Sequence, residues 1–143
     1  MEEHNIRIRR ATPEDAGYLV KLNEEFNGVT VPVHEAKEIL QSTTELVALA
    51  IMNDIPVGFG CAQYFRSFCY RGLQGEITEL YITNDARRKG VATLLITYIE
   101  EELKQLGVSS VKVLTGKNND IAIKTYEKSR YVLKEEVLLK KRI

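Results

Sequence analysis

The chain has 143 residues, 44% of them hydrophobic and 28% charged, which is the make-up of one soluble globular domain with room for a real core. Twenty basic residues balance twenty acidic ones, so no overall field selects nucleic acid as a partner. Cys61 and Cys69 make no disulfide framework, and with only His4 and His34 beside them no metal site is expected.

Met1-Glu2-Glu3-His4 lacks a basic segment followed by an apolar one, and no apolar run reaches membrane length. A reducing cytoplasm is the expected location, with no membrane partner. Asn5 to Arg10 alternates, Ile6 and Ile8 on one side and Arg7 and Arg9 on the other, and predicts a first strand. Thr12-Pro13-Glu14-Asp15 starts a helix, with Thr12 as cap, Pro13 at the first position and Asp15 three residues after the cap. Tyr18, Leu19, Leu22 and Phe26 mark its inner face until Asn27-Gly28 ends it, and a shorter helix after Pro32 carries Ala36, Ile39 and Leu40.

Leu46 to Met52 is a continuous apolar run, hence a buried strand; Asn53 to Pro56 is a turn, and Val57 to Phe65 pairs back. Arg66 to Leu73 reads as a loop. In the strand at 76–82, simple alternation puts Ile77, Glu79 and Tyr81 on one face and Thr78, Leu80 and Ile82 on the other. A helix opened by Gly90 shows Val91, Leu94, Leu95, Tyr98, Ile99, Leu103 and Leu106 at helical spacing and ends at Gly107. Val111 to Thr115 is a strand, Asp120 to Ser129 a helix, and Tyr131 to Leu139 a final strand or hairpin. The order β-α-α-β-β-β-α-β-α-β predicts one α/β domain over residues 1–143, a mixed sheet with helices on both faces. The helical crossover makes strands 76–82 and 110–115 parallel.

Arg87-Arg88-Lys89-Gly90-Val91-Ala92 joins that strand to that helix and is an anion site by construction. The first N–H groups of a helix lack intrahelical acceptors, and the helix dipole adds partial positive charge there. Gly90 lets the backbone approach a ligand, while Arg87, Arg88 and Lys89 add formal charge. A P-loop needs Gly-x-x-x-x-Gly-Lys-Ser/Thr, which is absent. A dinucleotide fingerprint begins at Gly58-Phe59-Gly60 but fails at Gln63, within a predicted strand; those glycines mark a bulge or a close backbone approach instead.

A third pattern, Arg/Gln-x-x-Gly-x-Gly/Ala, fits Arg87 to Ala92 position by position, and Asn119-Asp120-Ile121-Ala122-Ile123-Lys124-Thr125-Tyr126-Glu127-Lys128 fits Asn-x-x-Ala-x-x-x-Tyr-Glu-Lys at the matching distance. These stretches, with Leu80-Tyr81-Ile82 before the turn, resemble the GNAT-superfamily N-acetyltransferases over the whole chain. The resemblance implies acetyl-CoA as co-substrate. Its pantetheine would lie along Leu80, Tyr81 and Ile82, an N–H of Leu80 or Tyr81 would face the thioester carbonyl, and the pyrophosphate would lie on the N–H groups of Arg88, Lys89, Gly90, Val91, Ala92 and Thr93. One departure is Arg130-Tyr131 where the family has Gly-Phe, so a left-handed helix cap falls on a non-glycine residue.

Acetyl transfer to an amine needs an oxyanion donor, a base for the amine and an acid for the thiolate. Tyr126 is the candidate acid, since a phenol of pKa about 10 stays protonated at neutral pH; the competing reading is that it merely packs against the sheet. Asn119 is a helix cap, a cofactor contact, or both. Glu79 is the candidate base or else one side of an ion pair. The position matching the glutamate of some relatives that acetylate protein N-termini is Leu114, so that arrangement is absent.

Glu24 and Glu25 either attract a cationic amine or form a solvated helix face. Tyr64, Phe65, Phe68 and Tyr70 line an acceptor pocket or belong to the core, and Lys140-Lys141-Arg142 is a solvated end. The resemblance implies an N-acetyltransferase acting on a small-molecule or peptide amine by direct attack in a ternary complex, with a homodimer as a possible assembly. The alternative is a non-catalytic acetyl-CoA-binding sensor or regulatory module.

Overall fold

A computed structural model describes residues 4–42 and 44–143. Its elements run β1 (Ile6–Arg10), α1 (Ala16–Asn27), α2 (Val33–Gln41), β2 (Glu45–Met52), β3 (Ile55–Phe65), β4 (Leu73–Ile82), α3 (Val91–Gln105), β5 (Val108–Val113) and α4 (Asp120–Lys128). The five strands lie in the order β1-β2-β3-β4-β5. The first four pair antiparallel, and the α3 crossover makes β5 parallel to β4. This is the predicted α/β order as far as α4. The final strand predicted at Tyr131 to Leu139 is not formed: beyond Tyr131 the side chains are exposed and no ladder partner is engaged. A strand exists only where a neighbour takes its backbone groups, and composition alone cannot supply one.

The sheet is buried on both sides, which is why β2 reads as an unbroken apolar run. Leu46, Ala48 and Ala50 meet Leu95, Ile96, Ile99 and Leu103 of α3, while Val47, Leu49 and Ile51 meet Leu19 and Leu22 of α1. The four α3 side chains are fully buried, each stabilising the fold by about 1.5–3 kcal/mol relative to exposure. Ile96 belongs to this face, whereas Leu94 and Leu106, predicted to lie on it, are exposed. Tyr18 is likewise exposed, although spacing put it with Leu19 and Leu22.

The entry to α1 follows local chemistry closely. Asp15 accepts from the Thr12 backbone N–H at 2.8 Å and from both terminal nitrogens of Arg9, at 2.7 and 2.8 Å. That fork ties β1 to the short 3-10 turn Pro13–Asp15 ahead of α1. Hydrogen bonding from Arg9 holds the Asp15 carboxyl below its ordinary range, against the opposing effect of burial.

The β2–β3 turn is shorter than predicted. Asn53 and Asp54, both at positive φ, make a two-residue hairpin, so β3 already begins at Ile55. Gly58 and Gly60 mark the predicted close approach: a Cβ on Gly58 would stand 2.6 Å from the Tyr81 carbonyl oxygen, and one on Gly60 would stand 2.7 Å from Ile99 Cδ1.

Candidate active site at the parting of β4 and β5

Two irregularities in β4 create the site. β4 and β5 pair only from Leu73↔Val108 to Ile77↔Val113, after which β4 continues to Ile82 bonded to β3 alone. Over residues 78–82 the other edge of β4 is therefore open, and the strand predicted at Val111 to Thr115 ends two residues early because its partner has turned away. At the same point Cys61 pairs with Glu79 and Ala62 with Ile77, leaving Thr78 as an extra residue. Such a bulge re-aims the side chains that follow it. Thr78 Oγ1 donates to the Cys61 carbonyl at 3.3 Å across this step. The alternation predicted for β4 is corrected accordingly. Ile77 lies with Leu80 and Ile82 on the α3 side, while Glu79 and Tyr81 face the α1–α2 side.

Beyond Ile82 the chain makes a 3-10 turn, Asn84–Ala86, and then the segment 87–93. The Arg87 guanidinium donates to the Ile82 carbonyl and to Asn84 Oδ1, both at 3.1 Å, so this arginine braces the turn. Arg88 and Gly90 take left-handed φ values of 64° and 82°. Gly90 is the N-cap of α3, and no side chain caps that end. The N–H groups of Val91, Ala92 and Thr93 have no intrahelical acceptor. Val91 is buried and anchors the helix start, whereas Arg88, Lys89 and Thr93 are exposed.

On α4, Asn119 caps the helix by accepting from the Ala122 N–H at 3.2 Å, which occupies its oxygen and leaves its amide nitrogen available. Tyr126 is buried and meets Tyr131 edge-on at 5.5 Å. Its phenol is pushed up to about 12, first by burial and then by the Glu79 carboxylate. Two predicted catalytic side chains from different elements are thus within electrostatic reach of each other.

Glu79 also lines a cavity of ≈ 220 Å³ between the sheet and helices α1 and α2, with Glu45, Cys61, Phe59, Leu19 and Ile39. Glu45 opens β2 and is half-buried there; burial, and then the negative charge of Glu79, raise its carboxyl above the usual range. Sequence reading missed it. The available signal was a lone carboxylate directly before an apolar strand. Burial, with Glu45 and Glu79 adding to it, pushes the Cys61 thiol far up, so it is no ready nucleophile, and Cys69 is exposed outside the site.

Tyr81 packs against Phe26 and Phe59, with ring centroids 5.3 and 6.1 Å away, and its hydroxyl donates to Glu25 at 3.3 Å. Glu25 thereby reaches the site through Tyr81, whereas Glu24 accepts from the Thr30 hydroxyl at 2.7 Å. Phe65, Phe68 and Tyr70 are exposed; with Tyr64 they line neither this cavity nor a second one beside Tyr81. Leu114 is exposed past the end of β5. Among the described residues no helix is long and apolar enough to cross a membrane, and no group of three His, Cys, Asp or Glu is arranged around a metal position.

The Acetyltransferase (GNAT) family pattern matches residues 16–130. An acetyltransferase of Yersinia pestis (strain Pestoides F) is 31% identical over 112 residues, covering 78% of this chain and 75% of that protein. One of Sodalis glossinidius (strain morsitans) is 33% identical over 70 residues, 49% of each chain, so the chain spans about half the length of the first relatives it matches. Among solved structures, an aminoglycoside acetyltransferase from an uncultured soil metagenomic sample, in complex with sisomicin, matches with a TM-score of 0.84 at 19% identity over 96% of this chain and 95% of that one. An aminoglycoside N-acetyltransferase in complex with CoA matches with a TM-score of 0.85 at 18% identity over 99% and 97%. At such identities the structural likeness is one of fold. The family pattern runs from the start of α1 to two residues past α4 and takes in the open edge of β4: the chain belongs to the GNAT acetyltransferase family.

Proposed function

We propose that the protein transfers an acetyl group from acetyl-CoA to a primary amine by direct attack in a ternary complex. The observation that carries this reading is the open edge of β4 over residues 78–82, which runs from Glu79 toward the uncapped start of α3. Those backbone groups of Leu80, Tyr81 and Ile82 that do not bond β3, apart from the Ile82 carbonyl held by Arg87, are open to an extended pantetheine as to a further strand. The N–H groups of Val91, Ala92 and Thr93, with Arg88 and Lys89 alongside, suit a pyrophosphate, while Arg87 holds the turn. Asn119 retains its amide nitrogen as a donor.

The pocket behind Glu79 supports a cationic acceptor flanked by apolar groups, since two carboxylates stand among Leu19, Ile39 and Phe59. Glu79 takes a proton from the ammonium, and Glu45 shares its charge. The amine nitrogen then bonds to the acetyl carbon and sheds its second proton to water, the carbon–sulfur bond breaks, and its electron pair leaves on sulfur. An N–H of Leu80 or Tyr81 steadies the developing oxyanion. Tyr126 donates a hydrogen bond to the departing sulfur, and the thiolate's proton follows through it from water. With the phenol at about 12 and a thiol ordinarily near 8.5, the hydrogen bond outweighs full proton transfer in this role. Buried Cys61 favours direct transfer over an acyl-enzyme, and two free thiols suit a reducing cytoplasm. Fold relatives named for aminoglycosides and for ribosomal-protein alanine support both small-molecule and peptide amines as acceptor classes.

Amide NMR shifts on adding acetyl-CoA test the placement. The reading expects Leu80, Tyr81 and Ile82 to move together with Val91, Ala92 and Thr93. Stationary β4 amides, or the same response to ATP, would overturn it in favour of a generic phosphate site.

A further inference from the structure

A second cavity, of ≈ 620 Å³, lies between α1, the β2–β3 hairpin and the turn that follows β4. That volume falls within the range of sites that bury a small molecule, about 300–1,000 Å³. Three packed rings part it from the pocket behind Glu79. Phe26, Phe59 and Tyr81 stand with centroids 5.3 to 6.1 Å apart, Phe59 lining the Glu79 pocket and Tyr81 the second cavity. The two cavities share no lining residue.

The chemistry of the second cavity is of both signs over an apolar floor. Leu22, Val57 and Ala86 are buried and make the floor, and the half-exposed Tyr18 and Ile55 flank it. Lys21 and Glu25 both reach it from α1, being four residues apart on one helix face and so about 6 Å apart along the axis. They do not pair with each other: among the described residues the ion pairs are Arg7–Asp54 and Arg9–Asp15. Glu25 accepts from the Tyr81 hydroxyl through one oxygen, which leaves the other open, and Asp85 adds a second carboxylate from the facing turn. Asn53 and Asn84 have their side-chain oxygens engaged, by the Asn5 N–H and by Arg87, each at 3.1 Å, so both present amide nitrogens as donors.

We propose that this cavity binds a free dipeptide with apolar side chains, its carboxylate toward Lys21 and its ammonium toward Glu25. An extended chain advances about 3.3–3.6 Å per residue, so the charged ends of two residues stand about 7 Å apart, close to the spacing of Lys21 and Glu25. A single amino acid carries both charges on one carbon and cannot reach both partners, and a longer peptide overshoots them. The Asn53 and Asn84 amides suit the peptide carbonyl and the carboxylate, and the floor takes the side chains. A phosphate ligand is disfavoured, because Lys21 is the one cation among the lining residues and two carboxylates oppose it. This site is independent of acetyl transfer.

Calorimetric and amide NMR titrations of the wild type with leucyl-leucine, without acetyl-CoA, test this. Saturable binding with a Kd below about 1 mM is expected. Amide shifts are expected at Leu22, Val57 and Ala86, and none at Val47 or Cys61 in the Glu79 pocket. N-acetyl-leucyl-leucine and leucyl-leucinamide, each lacking one charged end, are expected to bind about three- to fivefold more weakly, as for exposed ion pairs. Lys21→Gln is expected to weaken the free dipeptide by the same factor and to leave the leucinamide form unaffected. Glu25→Gln, which keeps an acceptor for Tyr81, is expected to do so with the acetylated form unaffected. No saturation by about 10 mM, shifts confined to Val47 and Cys61, or capped dipeptides or free leucine binding as well as leucyl-leucine would each overturn the proposal. The capped dipeptides are read on the wild type, so a variant that fails to fold leaves that test standing.

Discussion

Glu79 stands opposite Cys61 across β3 and β4, immediately after Thr78, the one residue at this step without a cross-strand partner. That offset turns Glu79 toward Glu45 and the cavity under α1 and α2, while Ile77 remains in the α3 core. It sits where β5 leaves β4, so the bulge and the open edge act together to bring a carboxylate to a free backbone.

Glu79→Gln is therefore expected to lower kcat/KM by about 10²-fold near neutral pH, the lower end for loss of a general base. The deficit closes as pH rises past the acceptor's own pKa, about 8–10 for an alkyl amine. Glu45→Gln is expected to lower the rate less and mainly through the acceptor KM. Because burial raises the Glu45 carboxyl, its charge is lost earlier on lowering the pH than that of an exposed glutamate, and the acceptor KM of the wild type rises as it is lost. Initial rates over a pH series with both variants decide this; parallel profiles would remove Glu79 from the base role.

Gly90→Ala places a Cβ in open space, since no other atom lies within 4 Å, but forces φ 82° on a residue that resists it. The strain is about 1–2 kcal/mol. If the turn relaxes to relieve it, the N–H groups of α3 move and the KM for acetyl-CoA rises by up to about tenfold. The acceptor KM is expected to stay constant, and steady-state kinetics with each substrate varied separate the two.

Asp15→Asn removes the ion pair with Arg9 and one of its two acceptor oxygens while the amide oxygen can still accept from Thr12, with an expected loss of about 1.5 kcal/mol because Arg9 is partly exposed. The Asp15 carboxyl lies below its unfolded value in the native chain, so its contribution is complete above about pH 4 and is lost as pH falls further. Urea melts of wild type and variant are expected to differ by a constant amount at neutral pH and to converge in acid.

Much of this arrangement is legible in the sequence where the rule is local. Gly90 at the start of α3, Asn119 capping α4 and the Thr12–Asp15 entry to α1 depend on residues within one turn of each other. The left-handed φ of Arg130 was expected only through the resemblance, which places a glycine cap at that position. What was not legible depends on a partner distant in the chain. The count of two along β4 cannot register Thr78 as extra, because only Cys61 and Ala62 in β3 define the slip. The end of β5 at Val113 follows from the departure of β4, and the acidity of the pocket needs Glu45 and Glu79 brought together from separate strands. Residues 131–139 have strand composition but no intrachain neighbour, so periodicity predicts an element that the single chain does not form.

Arg130→Gly is expected to stabilise the protein by about 1 kcal/mol, raising Tm by about 3 °C, because glycine takes the closing position of α4 without steric cost. Differential scanning calorimetry checks it; a lower Tm would mean that the arginine side chain contributes more than its backbone costs.

The central claim is tested most directly by thiol release from acetyl-CoA across a panel of amines, with Tyr126→Phe beside the wild type. The account predicts release that requires an amine, favours cationic acceptors, and falls by about 10–10²-fold in Tyr126→Phe with acetyl-CoA affinity nearly intact. Because the Tyr126 phenol titrates only at about 12, the wild-type rate is expected to show no loss from its ionisation up to about pH 10. Tight acetyl-CoA binding with no amine-dependent release from any acceptor would contradict it and leave a sensor of the cofactor in its place.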